Sequence, residues 1–270
     1  MDIFNIKGKV AIITGGYGVL GASMAHSLAE RGVHIAIIGR KAEKGEPLAA
    51  ELTALGAEAI FCKADVLDRE ALVAAREEIL RKWGHIDILI NAAGGNMPGA
   101  TIMPDKNIFD LDIDAYREVL NLNLVGTVIP TLVFGEVMAK SGKGSIINIS
   151  SMSSQQMITR VCGYSSAKAA IDNFTKWCAM EMAKKFGEGL RVNAIAPGFF
   201  ITEQNRTLMT NPDGSYSDRA KDVIRNTPFG RLGEADELHG AVIFYASDAS
   251  KFVTGMVLPI DGGFSIFSGV

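Results

Sequence analysis

The sequence predicts an α/β fold, a single doubly wound parallel sheet of about seven strands with helices on both faces. Short apolar runs rich in β-branched residues alternate with longer helical patterns along the chain. The chain has 270 residues, 48% of them hydrophobic, which is enough for one large α/β domain. Strands are predicted at about 9–14, 33–38, 58–62, 86–90, 145–150, 190–196 and 255–260. We therefore expect one domain over residues 1–270, with the functional strand ends along one edge of the sheet.

The first predicted strand leads directly into a glycine-rich turn and then into a helical pattern over 22–31. The turn, residues 15–21, reads Gly-Gly-Tyr-Gly-Val-Leu-Gly and fits the pattern G-x-G-x-x-G from its second residue. Glycines at this spacing let the backbone approach a pyrophosphate, which also meets the free amides at the helix start. Because another strand follows the helix, the arrangement is typical of a Rossmann fold that binds a dinucleotide. We expect cofactor contacts at Gly15, Gly16, Tyr17, Gly18 and Leu20.

The end of the second predicted strand indicates which dinucleotide is bound. Rossmann proteins that prefer NAD place Asp or Glu near this point, whereas this chain has Gly39-Arg40-Lys41. An arginine can hydrogen-bond to the 2'-phosphate of NADP while stacking on the adenine. The sequence therefore favours NADP as cofactor. NAD is the alternative if Arg40 is only a solvated residue at the start of a helix.

Tyr164 and Lys168 stand four positions apart in an alanine-rich stretch without helix breakers. On a helix this spacing brings the two side chains to one face. An ordinary phenol titrates near ~10, and a neighbouring cation is expected to lower that pKa toward neutral pH. The pair is therefore a candidate general acid and base.

Several other motifs accompany this pair in a fixed order. They are residues 14–21, Asn91-Ala92-Ala93-Gly94, Asn121-Leu122-Asn123, Asn148-Ile149-Ser150-Ser151 and Pro197-Gly198. With these motifs the sequence resembles the short-chain dehydrogenase/reductase family over essentially its whole length. One departure is that the middle glycine of the family's Thr-Gly-x-x-x-Gly-x-Gly loop falls on Val19. The resemblance implies an NAD(P)-dependent oxidoreductase acting on CH–OH groups.

The resemblance also implies roles for individual residues. Ser151 precedes Tyr164 by 13 positions, the family's usual spacing, and could donate a hydrogen bond to the substrate oxygen. Lys168 is expected to bind the nicotinamide ribose, and Asn123 to hold a water that links Lys168 to solvent. The implied catalytic set is Asn123, Ser151, Tyr164 and Lys168. Cofactor contacts are further implied at Tyr164, Lys168, Asp65, Val66, Asn91, Ala92, Gly94, Pro197, Gly198 and Thr202.

Within the family, the chain is most similar to the sugar-acid members that interconvert D-fructuronate and D-mannonate. The strings behind this similarity are Gly94-Gly95-Asn96, 109–112, 196–200, Gln204-Asn205-Arg206, 211–216 and 261–264. A hexuronate requires a cation for its carboxylate, and arginine suits that group best. Arg160 and Arg206 are the candidates, although each could equally be an ordinary surface arginine. Asn96 and Ser151 are the other expected substrate contacts.

Residues 199–231 interrupt the alternation of strands and helices, and such an insertion is usually a substrate lid. Two alternative functions stay open. One is a reductase of the same family for another carbonyl compound, such as a 3-oxoacyl thioester, a polyol or gluconate. The other is a non-catalytic dinucleotide-binding regulator, although loss of chemistry usually shows as a broken Tyr–Lys pair or a missing serine.

Composition argues against several classes of partner. The net charge of −3 gives no electrostatic case for nucleic acid or an anionic membrane surface. Apolar runs fall short of the ~20 residues of a membrane span, and the N-terminus lacks signal-peptide features. We expect a soluble cytoplasmic protein. Four histidines and three cysteines, Cys62, Cys162 and Cys178, show no metal-ligand spacing, so we expect no metal and reduced thiols.

The C-terminal end predicts self-association. Residues 252–260 form a predicted edge strand, and 264–270 form an apolar tail that a monomer would leave partly exposed. The helix over 164–184 carries Phe174, Trp177 and Cys178 on the face expected to point away from the sheet. A homotetramer would bury these surfaces, and the family resemblance implies the same assembly. The alternative is that the apolar residues fold back onto their own domain.

Overall fold

Seven strands occur among the residues that the computed structural model describes, which are 2–202 and 205–269. They are β1 (Val10–Thr14), β2 (His34–Gly39), β3 (Ala59–Lys63), β4 (Ile88–Asn91), β5 (Gly144–Ile149), β6 (Leu190–Pro197) and β7 (Val257–Ile260). They form one parallel sheet in the order β3-β2-β1-β4-β5-β6-β7. The predicted fold class is confirmed, and each predicted strand end lies within two residues of the observed one.

Helices cover both faces of the sheet. In the described part of the chain they are α1 (Val19–Ala29), α2 (Ala42–Ala54), α3 (Arg69–Trp83), α4 (Ile113–Leu120), α5 (Gly126–Ser141), α6 (Cys162–Phe186), α7 (Arg206–Met209), α8 (Asp218–Arg225) and α9 (His239–Ala246). Apolar side chains of α1, α2 and α9 pack on one face, and those of α3, α5 and α6 on the other. Successive strand residues point to opposite faces, so Ile13 and Ile12 belong to different halves of the core.

The strand order reverses beside β1, which is flanked by β2 and β4. Open α/β sheets bind ligands in the crevice at such a reversal, outside the carboxyl ends of the strands. The register places Thr14 opposite Asn91 and Asn91 opposite Asn148 along this edge. The segments that follow β1, β4 and β5 therefore meet in space, although they are far apart in sequence.

Helix α1 begins at Val19, three residues earlier than the sequence pattern indicated. The turn closes early because the Gly18 N–H donates to the carbonyl oxygen of Gly15 at 3.0 Å. Gly18 then serves as the N-cap residue with extended backbone angles. Val19, which stands where the family's middle glycine is expected, consequently lies in the first turn of the helix.

Helices α4 and α5 are joined by a π-helical segment, Asn121–Val125, into one helical run from Ile113 to Ser141. This run of 29 residues is long and apolar enough to cross a membrane, with a mean hydropathy of 1.6 in its most apolar window. The run has this mean hydropathy although polar residues such as Asn121 and Asn123 interrupt its apolar stretch. Half of the window is buried inside the fold, where α5 contributes Phe134 and Met138 to the core, and core helices often pass the same test.

The outward face of α6 differs from the prediction. Trp177 is 57% exposed, but Cys178 is buried and Phe174 packs against the core. Residues 174 and 178 point inward because one side of the helix lies against the sheet. Leu132 on α5 is another exposed apolar side chain on this side of the sheet. Near the C-terminus, Phe252 and Ile266 are almost fully exposed, as the sequence predicted, and Val270 lies outside the described residues.

Residues 199–231, hereafter the lid segment, contain helices α7 and α8 and are less irregular than expected. Met209 on α7 packs with Ala220 and Val223 on α8 and with Leu232, so the segment has a small apolar core of its own. Both ends of the segment lie close together, because Phe200 bridges to Gly233. Gln204, on which part of the substrate prediction rested, lies outside the described residues.

Candidate active site

A cavity of about 530 Å³ runs along the carboxyl edge of the sheet, from the end of β2 to the start of α6. A pocket of this size is typical of a small-molecule or cofactor site. Its walls come from the glycine turn, the segments after β2 to β6, and the lid segment. The predicted residues that line it are Gly15, Tyr17, Gly18, Leu20, Arg40, Asp65, Val66, Ala92, Gly94, Asn96, Ser151, Tyr164, Lys168, Pro197, Gly198 and Thr202.

The glycine turn is packed backbone to backbone against the segment after β4. Gly15 has a φ of +62°, and a Cβ on this residue would lie 2.8 Å from Ala93 Cα. The Thr14 hydroxyl accepts hydrogen bonds from the amides of Ala92 and Ala93, each at 3.2 Å. Gly16 lies behind the turn, where a Cβ would be 3.0 Å from the Ile13 carbonyl oxygen. Gly16 therefore supports the turn, whereas Gly15 and Gly18 face the cavity.

Basic residues collect at the end of the cavity beside β2. Arg40 lines this end together with Lys41 and Lys44, and its guanidinium lies 3.6 Å from the carboxylate of Asp65. The Tyr17 hydroxyl accepts hydrogen bonds from the amides of Arg40 and Lys41, at 3.2 and 3.3 Å. The sequence analysis did not single out Lys44, although its position one helical turn after Arg40 is a recognisable signal.

Tyr164, Lys168 and Ser151 meet at the other end of the cavity. Helix α6 begins at Cys162 and places the Lys168 ammonium 5.4 Å from the centre of the Tyr164 ring, as the spacing of four residues predicted. The ammonium donates a hydrogen bond to the carbonyl oxygen of Ile149 at 2.7 Å. Ser151, in the segment after β5, shares a hydrogen bond with the Tyr164 hydroxyl. A phenol, a hydroxyl and an ammonium are thus assembled around one point.

Burial controls the protonation of this group. It raises the pKa of the Tyr164 phenol, and the hydrogen bond with Ser151 opposes that rise only in part. The predicted lowering of the Tyr164 pKa is therefore wrong in direction, because desolvation outweighs the hydrogen bond with Ser151. Burial also lowers the pKa of Lys168 to about 8, and the negative charge of Asp172 opposes this change.

Asp172 lies on α6 one helical turn after Lys168. Its carboxylate accepts a hydrogen bond from the Ser154 hydroxyl at 2.6 Å and another from Ser150. These contacts tie the segment after β5, which includes Ser151, to helix α6. The sequence analysis missed Asp172, although its spacing of four from Lys168 could have indicated it.

Asn91 and Asn123 lie beneath the cavity and do not line it. The Asn91 amide donates hydrogen bonds to Asn148 and Thr131, each at 2.9 Å, so the side chain joins β4 to β5 and α5. This position differs from the predicted cofactor contact. The amide of Asn123 donates to the Gly95 carbonyl at 2.7 Å, and its oxygen accepts from the Gly95 N–H at 3.1 Å. Asn123 therefore fixes the segment that forms this wall.

The space in front of Tyr164 is bounded by the segment after β5 and by the lid segment. Asn96 lines it, and its side-chain oxygen is buried without a hydrogen-bond partner in the described part of the chain. Among the lining residues that the sequence analysis did not single out are Met152, Ile158, Val161, Leu208, Met209 and Arg219. Arg160 and Arg206, the predicted carboxylate ligands, are absent from the lining, whereas Arg219 on α8 is present. The sequence could not rank the arginines of this segment, because their positions depend on how α8 packs in the fold.

The cavity fits a dinucleotide on three observations. Gly15 and Gly18 line the cavity without side chains that would block a pyrophosphate, helix α1 begins beside them, and the basic end is suited to an adenosine. Within residues 2–202 and 205–269, no group of three or more His, Cys, Asp or Glu side chains could hold a metal ion.

Comparison with known proteins agrees with this description. Residues 18–265 match the family model described as enoyl-(acyl carrier protein) reductase, a model of short-chain dehydrogenases/reductases. The uncharacterized oxidoreductase UxuB of Bacillus subtilis is 44% identical over 275 residues, covering 98% of each chain. A candidate D-mannonate oxidoreductase from Haemophilus influenzae, solved with NAD bound, is 42% identical, with a TM-score of 0.91 and 98% of each chain covered.

A gluconate 5-dehydrogenase from Burkholderia cenocepacia, solved in complex with NADP and tartrate, is 34% identical. Its TM-score is 0.86, and 98% of each chain is covered. Both solved relatives hold a nicotinamide dinucleotide, and the cavity of this chain has the shape and the chemical groups to hold one. The chain belongs to the short-chain dehydrogenase/reductase family and is an oxidoreductase that uses a nicotinamide dinucleotide.

Proposed function

We propose that the protein transfers a hydride between a nicotinamide cofactor and a keto or hydroxy sugar acid of the fructuronate/mannonate type. The observation that carries the proposal is the cavity itself. Its lining combines the Tyr164–Ser151–Lys168 group with a polar side chain, Asn96, and a cation, Arg219. A sugar acid needs both, because its hydroxyl groups require hydrogen-bond partners and its carboxylate requires a positive charge.

When bound, the nicotinamide supplies or accepts the hydride, and the protein has to position the substrate and move one proton. In the proposed mechanism, Ser151 and Tyr164 hold the oxygen of the reacting carbon. During reduction, Tyr164 gives its proton to that oxygen, and Ser151 stabilises the developing negative charge with a hydrogen bond. The raised pKa of Tyr164 favours this direction near neutral pH, because it keeps the phenol protonated. Asn123 and Asp172 position these groups through the segments that they anchor.

The relatives support a sugar-acid substrate. One is a candidate D-mannonate oxidoreductase, and another is a gluconate 5-dehydrogenase solved with a dicarboxylate, tartrate. In an acid that reacts at carbon 5, the carboxylate is four bonds from the reacting carbon. Such a molecule needs recognition at two separate points, which is compatible with Tyr164 at one place and an arginine at another.

A second candidate substrate is an acyl thioester. The family model is described as an enoyl-(acyl carrier protein) reductase, and Ile158, Phe199 and Leu208 give part of the cavity an apolar lining. Against it stand the charge of Arg219, which an acyl chain would not neutralise, and the buried oxygen of Asn96, which it would leave without a hydrogen-bond partner. A non-catalytic regulator is the least supported reading, because Tyr164, Lys168 and Ser151 are all present and assembled.

For the cofactor, we propose NADP with NAD as the alternative. Arg40, Lys41 and Lys44 would surround a 2'-phosphate, and cations are suited to that group. Two contacts favour NAD instead. The Asp65 carboxylate lies near Arg40, and the amides of Arg40 and Lys41 already donate hydrogen bonds to the Tyr17 hydroxyl. The related structure solved with NAD also favours this alternative. The lid role of residues 199–231 and a cytoplasmic location are further parts of the proposal.

A substrate panel tests the function directly. Keto sugar acids, 3-oxoacyl thioesters and simple ketones would each be offered with NADPH and with NADH, and oxidation of the cofactor followed by absorbance. We expect the largest kcat/KM for a hexuronate. A preference for thioesters would replace the proposed substrate by the second candidate, and no turnover of any carbonyl compound would favour the regulator.

Replacing Tyr164 by Phe should abolish most of the turnover, because only the hydroxyl that transfers the proton is removed. We expect kcat to fall by about 10²- to 10⁴-fold, with the cofactor dissociation constant nearly unchanged. Steady-state kinetics and cofactor titration measure the two effects. Tyr216→Phe, at an exposed position in the lid segment, is the matched control and should retain activity. Activity of Tyr164→Phe within about tenfold of the wild type would refute the assignment.

Lys168→Met should change how the free energy of unfolding depends on pH. The pKa of Lys168 is about 8 in the folded protein against an ordinary 10.5, so the unfolded chain binds more protons between these values. Wild-type stability should therefore rise relative to the variant as pH increases through this range, because the cost of burying a charged ammonium is lost.

Urea unfolding at several pH values between about 7 and 10 measures this difference. Lys176→Met, at an exposed lysine on the same helix, is the control and should not show the divergence. A constant difference between wild type and Lys168→Met across the range would contradict the lowered pKa. The activity of Lys168→Met should also fall, with weaker cofactor binding.

Arg40→Ala tests cofactor choice. If Arg40 contacts the 2'-phosphate, the variant should bind NADP about 10- to 100-fold more weakly, because a charge-assisted hydrogen bond is lost. Its affinity for NAD should be nearly unchanged. Arg117→Ala is a suitable control, because Arg117 has nearly the same side-chain exposure, 69% against 68%, and also lies beside an aspartate. Equal losses for the two dinucleotides would show that Arg40 does not discriminate between them.

We also propose that the protein forms a homotetramer, since Trp177, Leu132, Phe252 and Ile266 are exposed apolar side chains. Light scattering at micromolar concentration should give about four times the 28.8 kDa of one chain. Deleting residues 264–270 should weaken association, and Trp177→Glu should do the same without removing any backbone. A mass near that of a single chain would refute the proposal.

A further inference from the structure

Arg219 is a cation in the cavity wall without an acidic partner in residues 2–202 and 205–269. It lies in the first turn of α8, half-buried, and its guanidinium reaches across to the segment between β5 and α6. There it donates hydrogen bonds to the hydroxyl and the carbonyl oxygen of Thr159, at 3.2 and 3.4 Å. Both acceptors are neutral, and a guanidinium has five N–H donors, so most of its capacity for an anion is unused.

A second arginine adjoins the first. Arg160 directly follows Thr159, it is half-buried as well, and its positive charge acts on Arg219. Burial and this neighbouring charge both lower the pKa of Arg219, which means that the charged pair is held at an energetic cost. Surface arginines elsewhere in the described chain, such as Arg117 and Arg225, have an aspartate within 3 Å.

The backbone at Arg160 is also strained. Its φ of +79° makes it the one non-glycine residue with a positive φ among the described residues. Left-handed backbone at such a residue costs of order 1–3 kcal/mol and persists where the surroundings enforce it, often at ligand-binding positions. The carbonyl oxygen of Arg160 accepts a hydrogen bond from the Ile102 N–H at 2.9 Å, which helps to hold this conformation.

The pair lies toward the catalytic end of the cavity. Ile158 and Val161, which flank Thr159 and Arg160 in sequence, both line the cavity, and Val161 is the N-cap residue of the helix that carries Tyr164. Arg219 therefore faces the space in front of Tyr164, whereas Arg40, Lys41 and Lys44 stand at the opposite end. An anion bound to Arg219 in the cavity would offset the repulsion from Arg160 and complete the hydrogen bonds of the Arg219 guanidinium.

We propose that Arg219, supported by Arg160, binds the carboxylate of the substrate while Tyr164 and Ser151 hold the oxygen at the reacting carbon. The assignment rests on the proposed function, and it makes Arg219 the residue that selects acids over neutral sugars. Arg206, on the exposed surface of α7, has no part in it.

The test compares substrates that differ only at the carboxylate. D-mannonate and D-mannitol form one such pair, and D-gluconate and D-glucitol another, since each polyol has a CH₂OH group in place of the acid. Oxidation would be followed by nicotinamide absorbance for wild type, Arg219→Gln and Arg219→Lys. Glutamine keeps a neutral donor for the Thr159 contact and removes the charge. Arg225→Gln, on the same helix but paired with Asp222, is the matched control.

We expect Arg219→Gln to lower kcat/KM for the acids by about 10- to 100-fold, mainly through KM, and to leave the polyols unchanged. Arg219→Lys should recover part of the loss, because it restores the charge without the bidentate geometry. Equal losses for acids and polyols, or no loss for either, would overturn the inference and leave Arg219 as a tether between the lid and the segment at Thr159.

A binding experiment separates this inference from the proposed function. Calorimetric titration of the cofactor-bound enzyme with tartrate reads carboxylate binding without any turnover. If no sugar acid is oxidised but tartrate binds, and binds at least tenfold more weakly to Arg219→Gln, the proposed function fails and the carboxylate site stands. Tartrate binding that is absent, or that is unaffected by Arg219→Gln, would overturn the site whichever substrate the enzyme uses.

Discussion

Backbone packing between the turn after β1 and the segment after β4 is the contact on which the whole cavity depends. Gly15 lies against Ala93 so closely that no side chain fits between them, and the Thr14 hydroxyl holds the amides of the same segment. Asn123 clamps Gly95 from below, so the wall is held from both sides. A larger residue at position 15 would separate these segments, and the cofactor-binding edge and the catalytic end would lose their relative position.

The burial of Lys168 and Tyr164 has an energetic cost. Lys168 is buried, and burial lowers its pKa to about 8. Its ammonium donates a hydrogen bond to the carbonyl oxygen of Ile149, and the negative charge of Asp172 favours the charged form. A buried ammonium costs free energy that an apolar residue of similar size would not cost. The phenol of Tyr164 stays neutral for the same reason, since the enclosure that excludes water penalises its charged form. Burial thus moves the two pKa values apart, since it raises that of Tyr164 and lowers that of Lys168.

Positive charge is distributed unevenly along the cavity, and its two concentrations indicate where anionic groups would bind. Three cations stand at the end beside β2, where a phosphate-bearing adenosine would lie, and Arg219 stands near Tyr164 with Arg160 behind it. Between these ends the lining is mostly backbone and apolar side chains. A ligand with negative charge at both ends and a reacting carbon between them, such as a cofactor together with a sugar acid, matches this arrangement.

The sequence by itself determined the parallel α/β fold, the glycine turn and the Tyr164–Lys168 pair, because these depend on strand periodicity and on spacings within one element. It gave the wrong direction for the Tyr164 pKa, because burial is a property of the packed structure. Only the tertiary structure placed Asn91 beneath the cavity and brought Arg219 into it. Arg40, Tyr164 and Arg219 come from three different segments of the chain. The distances between them depend on how the helices pack on the sheet and how residues 199–231 fold back onto it. A local sequence pattern contains no information about either.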